Sequence, residues 1–361
     1  MNKKIINEVI WLRVVACISV VLGHSLITTN TILYEDVDSF GKKIVYLILM
    51  ATYFATPVFI FISEFLLAKK YSNGLPPNFI KKRAKYLLVP YLFMSVVYGF
   101  VNADSLNPQS IMMTIIRNIL LAESTVYFIL IIFQFYFLHI VFYKKLNKWK
   151  PLTVISSTLL LNILYLSFFH FVNAPENEIA SYIWRRGHWL LFVAWIFYFV
   201  MGFYIGKYFN KVKKKLHSKK VAISLAFSTT CLLILVITNK YFDLIHTVSS
   251  KRIDILIYTA SVILLVFSLS TFIKRTPNFI ITISNYSFSI YLLHKVFLAV
   301  FEAFNLNYFN PILHVVLAFL FSFFSSILIS YLLNLGSFGK YLVGQNQQLK
   351  KDFKNERKLA G

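Results

Sequence analysis

Apolar residues run through this chain in long blocks, and a helix that crosses a bilayer needs about 20 of them in succession. Blocks of that order lie at roughly 8–28, 44–68, 86–103, 120–143, 152–172, 188–208, 221–239, 252–273, 279–303 and 310–335. The polar connections between them are short, with "NGLPPN" at 73–78 the clearest turn. The pattern predicts an all-α fold, a polytopic membrane helix bundle of about ten transmembrane helices. One membrane domain is expected over 1–335, followed by a basic cytoplasmic tail over 336–361, and no internal repeat is visible. The first block is not a signal peptide, because it carries Arg13 and His24 and lacks a small-residue cleavage site.

Composition agrees. The 361 residues are 58% hydrophobic and 18% aromatic, with a mean hydropathy of +0.67, so the bilayer is the expected solvent. Cys17 and Cys231 both fall in apolar blocks, which leaves no disulfide framework and points to no redox role.

A net charge of +23 invites a nucleic-acid reading, but its distribution argues for membrane orientation. With the N-terminus inside and ten alternating spans, 27 of the 37 Lys and Arg residues fall inside and 8 outside. The inside set runs from Lys3 and Lys4 through the basic residues of 69–85, "KKLNKWK", 207–220, Lys274 and Arg275 to the tail from Lys340. This is the positive-inside bias, with both termini cytoplasmic. Glu35, Asp36, Asp38, Asp104, Glu176 and Glu178 fall in outside loops, consistent with it. The basic loops then face anionic membrane lipid, and no nucleic-acid partner is expected.

Titratable groups within spans are costly and are functional candidates by default. Arg13 and His24 stand eleven residues apart in the first block. Eleven residues make three helical turns, so both project from one face, separated along the axis by about 16 Å. Each has a plain alternative: Arg13 can snorkel to the inner surface, and His24 can donate to a neighbouring carbonyl. Together they fit acyl transfer from a phosphorylated thioester donor, in which the guanidinium clamps phosphate and the imidazole takes a proton from an acceptor hydroxyl.

Glu64 lies at the depth of Arg13, and an ion pair between them is expected, with Lys69 as the alternative partner. Glu123, near the depth of His24, could orient its ring or sit solvated at the interface. His294 and Lys295 could line an aqueous cavity and meet substrate, although His294 could equally bond within the bundle. His139 and His314 are expected to be packing residues. Arg185, Arg186 and His188 in "WRRGHW" could receive an anionic acceptor or form an interfacial belt. No GxSxG elbow, HExxH or cysteine cluster appears, so serine-hydrolase and zinc chemistry lack local support and no metal is expected.

These residues resemble the membrane-bound acyltransferase family 3, whose members O-acylate sugars and glycans on the far side of bacterial membranes. The likeness rests on Arg13 with His24, "TPVFIFISEFLL" at 56–67, "KKRAKYLLVPY" at 81–91 and "ISNYSFSIYLLH" at 283–294. Within the family the chain looks most like the branch at poly-N-acetylglucosamine (polysaccharide intercellular adhesin) loci of biofilm formers, described both as exporters and as O-succinyltransferases.

The resemblance implies a bacterial cell membrane enzyme with His24 as general base, Arg13 as a contact to an acyl-CoA donor, acetyl-CoA or succinyl-CoA, and Arg83 at the cytoplasmic donor entrance. It implies a surface polysaccharide as acceptor, with a polysaccharide synthase as a further partner. From their own positions, Glu123 is a second catalytic candidate, Ser63 and Glu64 are candidates on the donor side, and Arg185, His188, His294 and Lys295 are candidates to meet the acceptor. Glu64 departs from a usual glycine, "ESTVYF" at 123–128 replaces a tryptophan motif, and Lys295 stands where proline is common. The competing expectation is a polysaccharide exporter whose polar residues line a path without chemistry.

Overall fold

The computed structural model describes residues 6–33, 39–71, 74–245, 249–306 and 310–344, with the side chains of all these except 30–33 and 39–43. Lys3, Lys4, Glu35, Asp36, Asp38 and the tail from Gln345 therefore lie outside the described residues. In chain order the helices are α1 (Asn7–Leu33), α2 (Ser39–Thr52), α3 (Ala55–Lys70), α4 (Phe79–Val101) and α5 (Pro108–Leu120). Next come α6 (Phe128–Lys148), α7 (Pro151–Phe171), α8 (Glu178–Leu190), α9 (Ile196–Lys207) and α10 (Phe209–Leu216). The last are α11 (Lys219–Tyr241), α12 (Ile255–Thr271), α13 (Asn278–Glu302), α14 (Pro311–Leu335) and α15 (Gly339–Leu342). No strand occurs among the described residues. In hydrocarbon every backbone polar group needs an internal partner, which helices supply.

Among the described residues, eight segments are long and apolar enough to cross a membrane. Of the other two expected spans, α12 is apolar but has only 17 residues, and the 25-residue α13 carries His294 and Lys295. All ten expected blocks fall on helices. Three of them are interrupted: the second between α2 and α3, the fourth by a 3₁₀ turn at Thr125–Tyr127, and the sixth by one at Phe192–Trp195.

The fourth and sixth interruptions belong to a repeated plan. A long helix, α4 or α7, leads through "VNADSLN" or "VNAPEN" to a 13-residue helix, α5 or α8. A short break, a 3₁₀ turn and a further helix, α6 or α9, complete each copy. Both 13-residue helices are capped by asparagine, Asn107 accepting from the Ser110 N–H and Asn177 from those of Ile179 and Ala180. The sequence showed no repeat because only "VNA" and the capping Asn are shared, while the helical bodies differ.

The chain divides into two compact units. The first comprises Met1–Ser19, Met50–Pro77 and Leu130–Thr276, and the second Val20–Leu49, Asn78–Ile129 and Pro277–Gly361. In the first unit α9 lies flush on α3. A Cβ at Gly202 would come within 2.7 Å of the Phe61 carbonyl oxygen, and one at Gly206 within 2.5 Å of that of Phe65. Glycines four residues apart allow this approach, the usual means of helix association in lipid. All residues of α9 from Phe197 to Gly206 are buried, so it faces protein rather than lipid.

Arg252, one of the eight cations assigned to the outer side, is fully enclosed by protein. Its Nε donates to Asp254 Oδ1 at 3.0 Å, and its Nη2 to Asp254 Oδ2 at 2.5 Å and to the Val236 carbonyl at 3.0 Å. Asn239 Nδ2 donates to Asp254 Oδ2 at 3.0 Å. The carboxylate two residues away supplies a bidentate partner, which is why the cation need not stay in water.

In the second unit α13 packs on α14 and α4 on α5. His314, expected only to pack, bonds Thr29 Oγ1 through Nδ1 at 2.8 Å. The packed chain continues past 335. Val343 is buried and its carbonyl accepts from Ser289 Oγ at 2.6 Å, while Tyr341 lies against Tyr86 and under Lys85.

Removing one member of a buried ion pair leaves the other uncompensated, which typically costs about 3–5 kcal/mol, whereas apolar replacement of both is often neutral. Asp254→Ala should therefore lower the unfolding midpoint of the detergent-solubilised protein sharply. The double variant Arg252→Met, Asp254→Leu should recover most of that loss; equal loss in both would refute the pairing argument.

Candidate active site

In the second unit, the C-terminal half of α1 and the middle of α13 bring two imidazoles together. The rings of His24 and His294 have centroids 5.1 Å apart and are tilted by 43°. His24 is half-buried and His294 fully buried. His294 Nδ1 lies 3.0 Å from the Ile290 carbonyl oxygen and 2.8 Å from that of Tyr291. Both partners only accept, so Nδ1 carries a proton, and in the neutral form of the ring Nε2 presents a bare lone pair. That nitrogen is buried and has no hydrogen-bond partner among the described residues.

Several bonds hold the ring in place. Ser322 Oγ donates to the His294 carbonyl at 2.8 Å, Tyr98 Oη to that of Leu292 at 3.0 Å, and Tyr291 Oη to that of Thr125 at 2.6 Å. Phe128 packs edge-on against Tyr291.

Glu123 lies half-buried in the non-helical segment between α5 and the 3₁₀ turn, next to Ala122, whose φ is +55°. Lys295 is half-buried and makes no ion pair among the described residues. It stands four residues after Tyr291 and so shares that helix face. Arg83 is exposed near the start of α4, with its guanidinium 5.1 Å from the centre of the Phe79 ring.

In the first unit, Arg13 is half-buried on the N-terminal half of α1, one turn before the buried Cys17. The expected Arg13–Glu64 ion pair is not made. Glu64 Oε1 instead meets His139 Nδ1 at 2.6 Å, and neither side chain has any exposed surface. Depth along the span matched Arg13 to Glu64, but direction around the helix decides contact, and α6 places His139 on the side where α3 presents Glu64. The reading of His139 as mere packing is corrected with it. Its ring stacks on Tyr143 at 6.0 Å, while Gly202 approaches Glu64 Cβ closely. Glu64 Oε2 and His139 Nε2 have no hydrogen-bond partner among the described residues. Ser63 is half-buried beside Glu64 in sequence, and on α8 Arg185 is exposed while His188 is half-buried against Phe169.

The sequence pattern of one family, described as an acyltransferase domain, matches residues 6–334. This chain belongs to that acyltransferase family. The match covers Arg13, His24, Ser63, Glu64, Arg83, Glu123, Arg185, His188, His294 and Lys295 alike. YfiQ of Bacillus subtilis (strain 168), whose name proposes a membrane-bound acyltransferase, is 34% identical over 360 residues, 96% of each chain. A Staphylococcus aureus (strain MSSA476) protein, whose name proposes export of poly-beta-1,6-N-acetyl-D-glucosamine, is 28% identical over 82% of this chain and 83% of its own. A Staphylococcus epidermidis protein with the same name is 26% identical over 81% of both. No solved structure gives a significant match. The protein is thus a multi-pass helical membrane protein of an acyltransferase family, with relatives named for polysaccharide export.

The Glu64–His139 contact can be tested by its hydrogen bond alone. Glu64→Gln keeps an acceptor for the Nδ1 proton and should cost no more than about 1.5 kcal/mol, whereas Glu64→Ala leaves His139 unpaired and should cost more. Thermal unfolding of the two variants checks the order.

Proposed function

We propose that the protein is an integral-membrane O-acyltransferase that moves an acetyl or succinyl group from acyl-CoA to a hydroxyl of a cell-surface polysaccharide, poly-N-acetylglucosamine by analogy with the relatives' names. The observation that carries this reading is the His24–His294 pair within the span of the family match. His294, fixed by its own backbone bonds, packs beside the His24 ring and restricts its orientation, leaving His24 as the base.

His24 then takes the acceptor hydroxyl's proton as the oxygen attacks the thioester carbonyl. Collapse of the intermediate breaks the carbon–sulfur bond, and the imidazolium returns the proton to the leaving thiolate. The products are the ester and free coenzyme A, with no net proton gained or lost.

Helix α1 supports the donor side. It carries Arg13 eleven residues before His24 without interruption, so a donor can place its phosphates at the guanidinium and its thioester about 16 Å further along. The exposed Lys81, Lys82, Arg83 and Lys85 at the start of α4 suit an anionic donor, and Ser63 belongs to the donor side of this reading. In this reading Arg185, His188 and Lys295 belong to the acceptor side, Glu123 is assigned to orient the base, and a polysaccharide synthase is the expected partner. The Lys and Arg distribution supports both termini in the cytoplasm, where acyl-CoA is available.

A second reading, export without acyl transfer, is favoured by the relatives' names. His24→Ala separates the two. Loss of general-base catalysis should lower glycan acylation by about 10²–10⁴-fold, read by mass spectrometry of the surface polymer, while polymer still reaches the surface. Loss of surface polymer with its acylation intact would favour the exporter. Arg13→Ala should weaken donor binding by roughly 10- to 100-fold, as expected for a charge-assisted bond; unchanged affinity for coenzyme A would remove the clamp.

A further inference from the structure

The two copies of the repeated plan treat their breaks differently. The break before α9 is closed by side-chain amides. Gln134 accepts from the Phe192 N–H at 3.0 Å and donates to the Leu190 carbonyl at 3.0 Å. Asn162 donates to the Ala194 carbonyl at 2.9 Å and accepts from the Phe197 N–H at 3.3 Å. At the break before α6 tyrosines serve instead, Tyr91 donating to the Asn118 and Ile119 carbonyls and Tyr291 to that of Thr125. Ala122 and Ser124 are each 1% exposed, and Ala122 holds a left-handed φ of +55°, a conformation costly for a residue with a Cβ. Ser124 Oγ is buried with no hydrogen-bond partner among the described residues. Non-helical backbone at membrane depth is tolerated where it is enclosed by protein or lines a wet cavity.

Helix α13 and the 3₁₀ turn at Thr125–Tyr127 are in contact, and Tyr291 joins them through Thr125. One turn of α13 therefore connects the orphaned Ser124 region to the orphaned Nε2 of His294. We propose that Ser124, Tyr291 and His294 form the acceptor subsite, a pocket for the hydroxyls of a saccharide ring. This rests on the acyltransferase reading for the role of His24, but not for binding.

The chemistry selects the ligand. His294 Nε2 only accepts, so the group it meets must donate; a carboxylate or a thioester carbonyl cannot. Ser124 Oγ both donates and accepts. An acyl chain would leave both unsatisfied, whereas adjacent sugar hydroxyls satisfy both and the ring packs on Tyr291.

The test uses the full chain in lipid nanodiscs and a β-1,6-linked N-acetylglucosamine oligosaccharide, with coenzyme A as comparison. Wild-type protein should bind the oligosaccharide, and Ser124→Ala should bind it roughly three- to tenfold more weakly, the effect of one hydrogen bond. No binding by the wild type, or equal binding by Ser124→Ala, overturns the proposal. Should Ser124→Ala fail to fold, Ser124→Cys in a Cys231→Ser background is labelled with a water-soluble methanethiosulfonate. The oligosaccharide should slow that labelling. Protection by coenzyme A alone would assign the pocket to the donor and overturn the proposal. Wild-type protein that binds the saccharide through Ser124 yet transfers no acyl group would support this subsite while ending the acyltransferase reading.

Discussion

Within a bilayer no water stands ready to accept a hydrogen bond, and every departure from helix must find its partners in the protein. That constraint organises this molecule. Gln134 and Asn162 sit inside apolar helices because Phe192–Trp195 needs their amides. Tyr91 donates to the carbonyls of Asn118 and Ile119 where α5 ends, and Tyr291 caps Thr125. The polar side chains of the spans are largely the price of breaking helices at two places, and the residues left over are those available to chemistry.

The same requirement governs charge. Arg252 is matched by Asp254, Glu64 by His139 and Glu8 by Lys213, each within one unit. The Glu64–His139 and Glu8–Lys213 pairs join helices whose apolar faces gain little from one another, since lipid is as apolar as a neighbouring leucine. Close contact through Gly202 and Gly206 adds dispersion where the hydrophobic effect is weak. His24 and His294 fall outside this structural set, because the committed nitrogen of His294 is satisfied locally and the other faces inward bare.

Much of the fold was legible in sequence, since apolar blocks near twenty residues translate directly into helices. The breaks were not. Phe192–Trp195 is as apolar as its surroundings, and at Thr125–Tyr127 a few polar residues are outweighed by the apolar run that follows, so a span-length window passes over both. Arg13, His24, Glu64, His294 and Lys295 stood out as titratable groups among hydrocarbons. Their partners did not, because Glu64 and His139 lie 75 residues apart and depth in a span says nothing about direction around a helix. The enclosure of Arg252 was not legible either, because a charge count assigns a side of the membrane and does not show that Asp254 folds back on the guanidinium.

The Glu64–His139 contact also bears on how the chain is made. A ribosome adding about 5–20 residues per second delivers His139 some seconds after Glu64, the two being 75 residues apart. For that interval α3 must enter the membrane with an acidic group whose eventual partner is not yet synthesised, and the glycine face that will seal it, on α9, comes later still. Insertion of α3 is thus an early step whose stabilisation arrives late. A nascent chain stalled before α6 should hold α3 at the edge of the insertion machinery rather than release it into lipid.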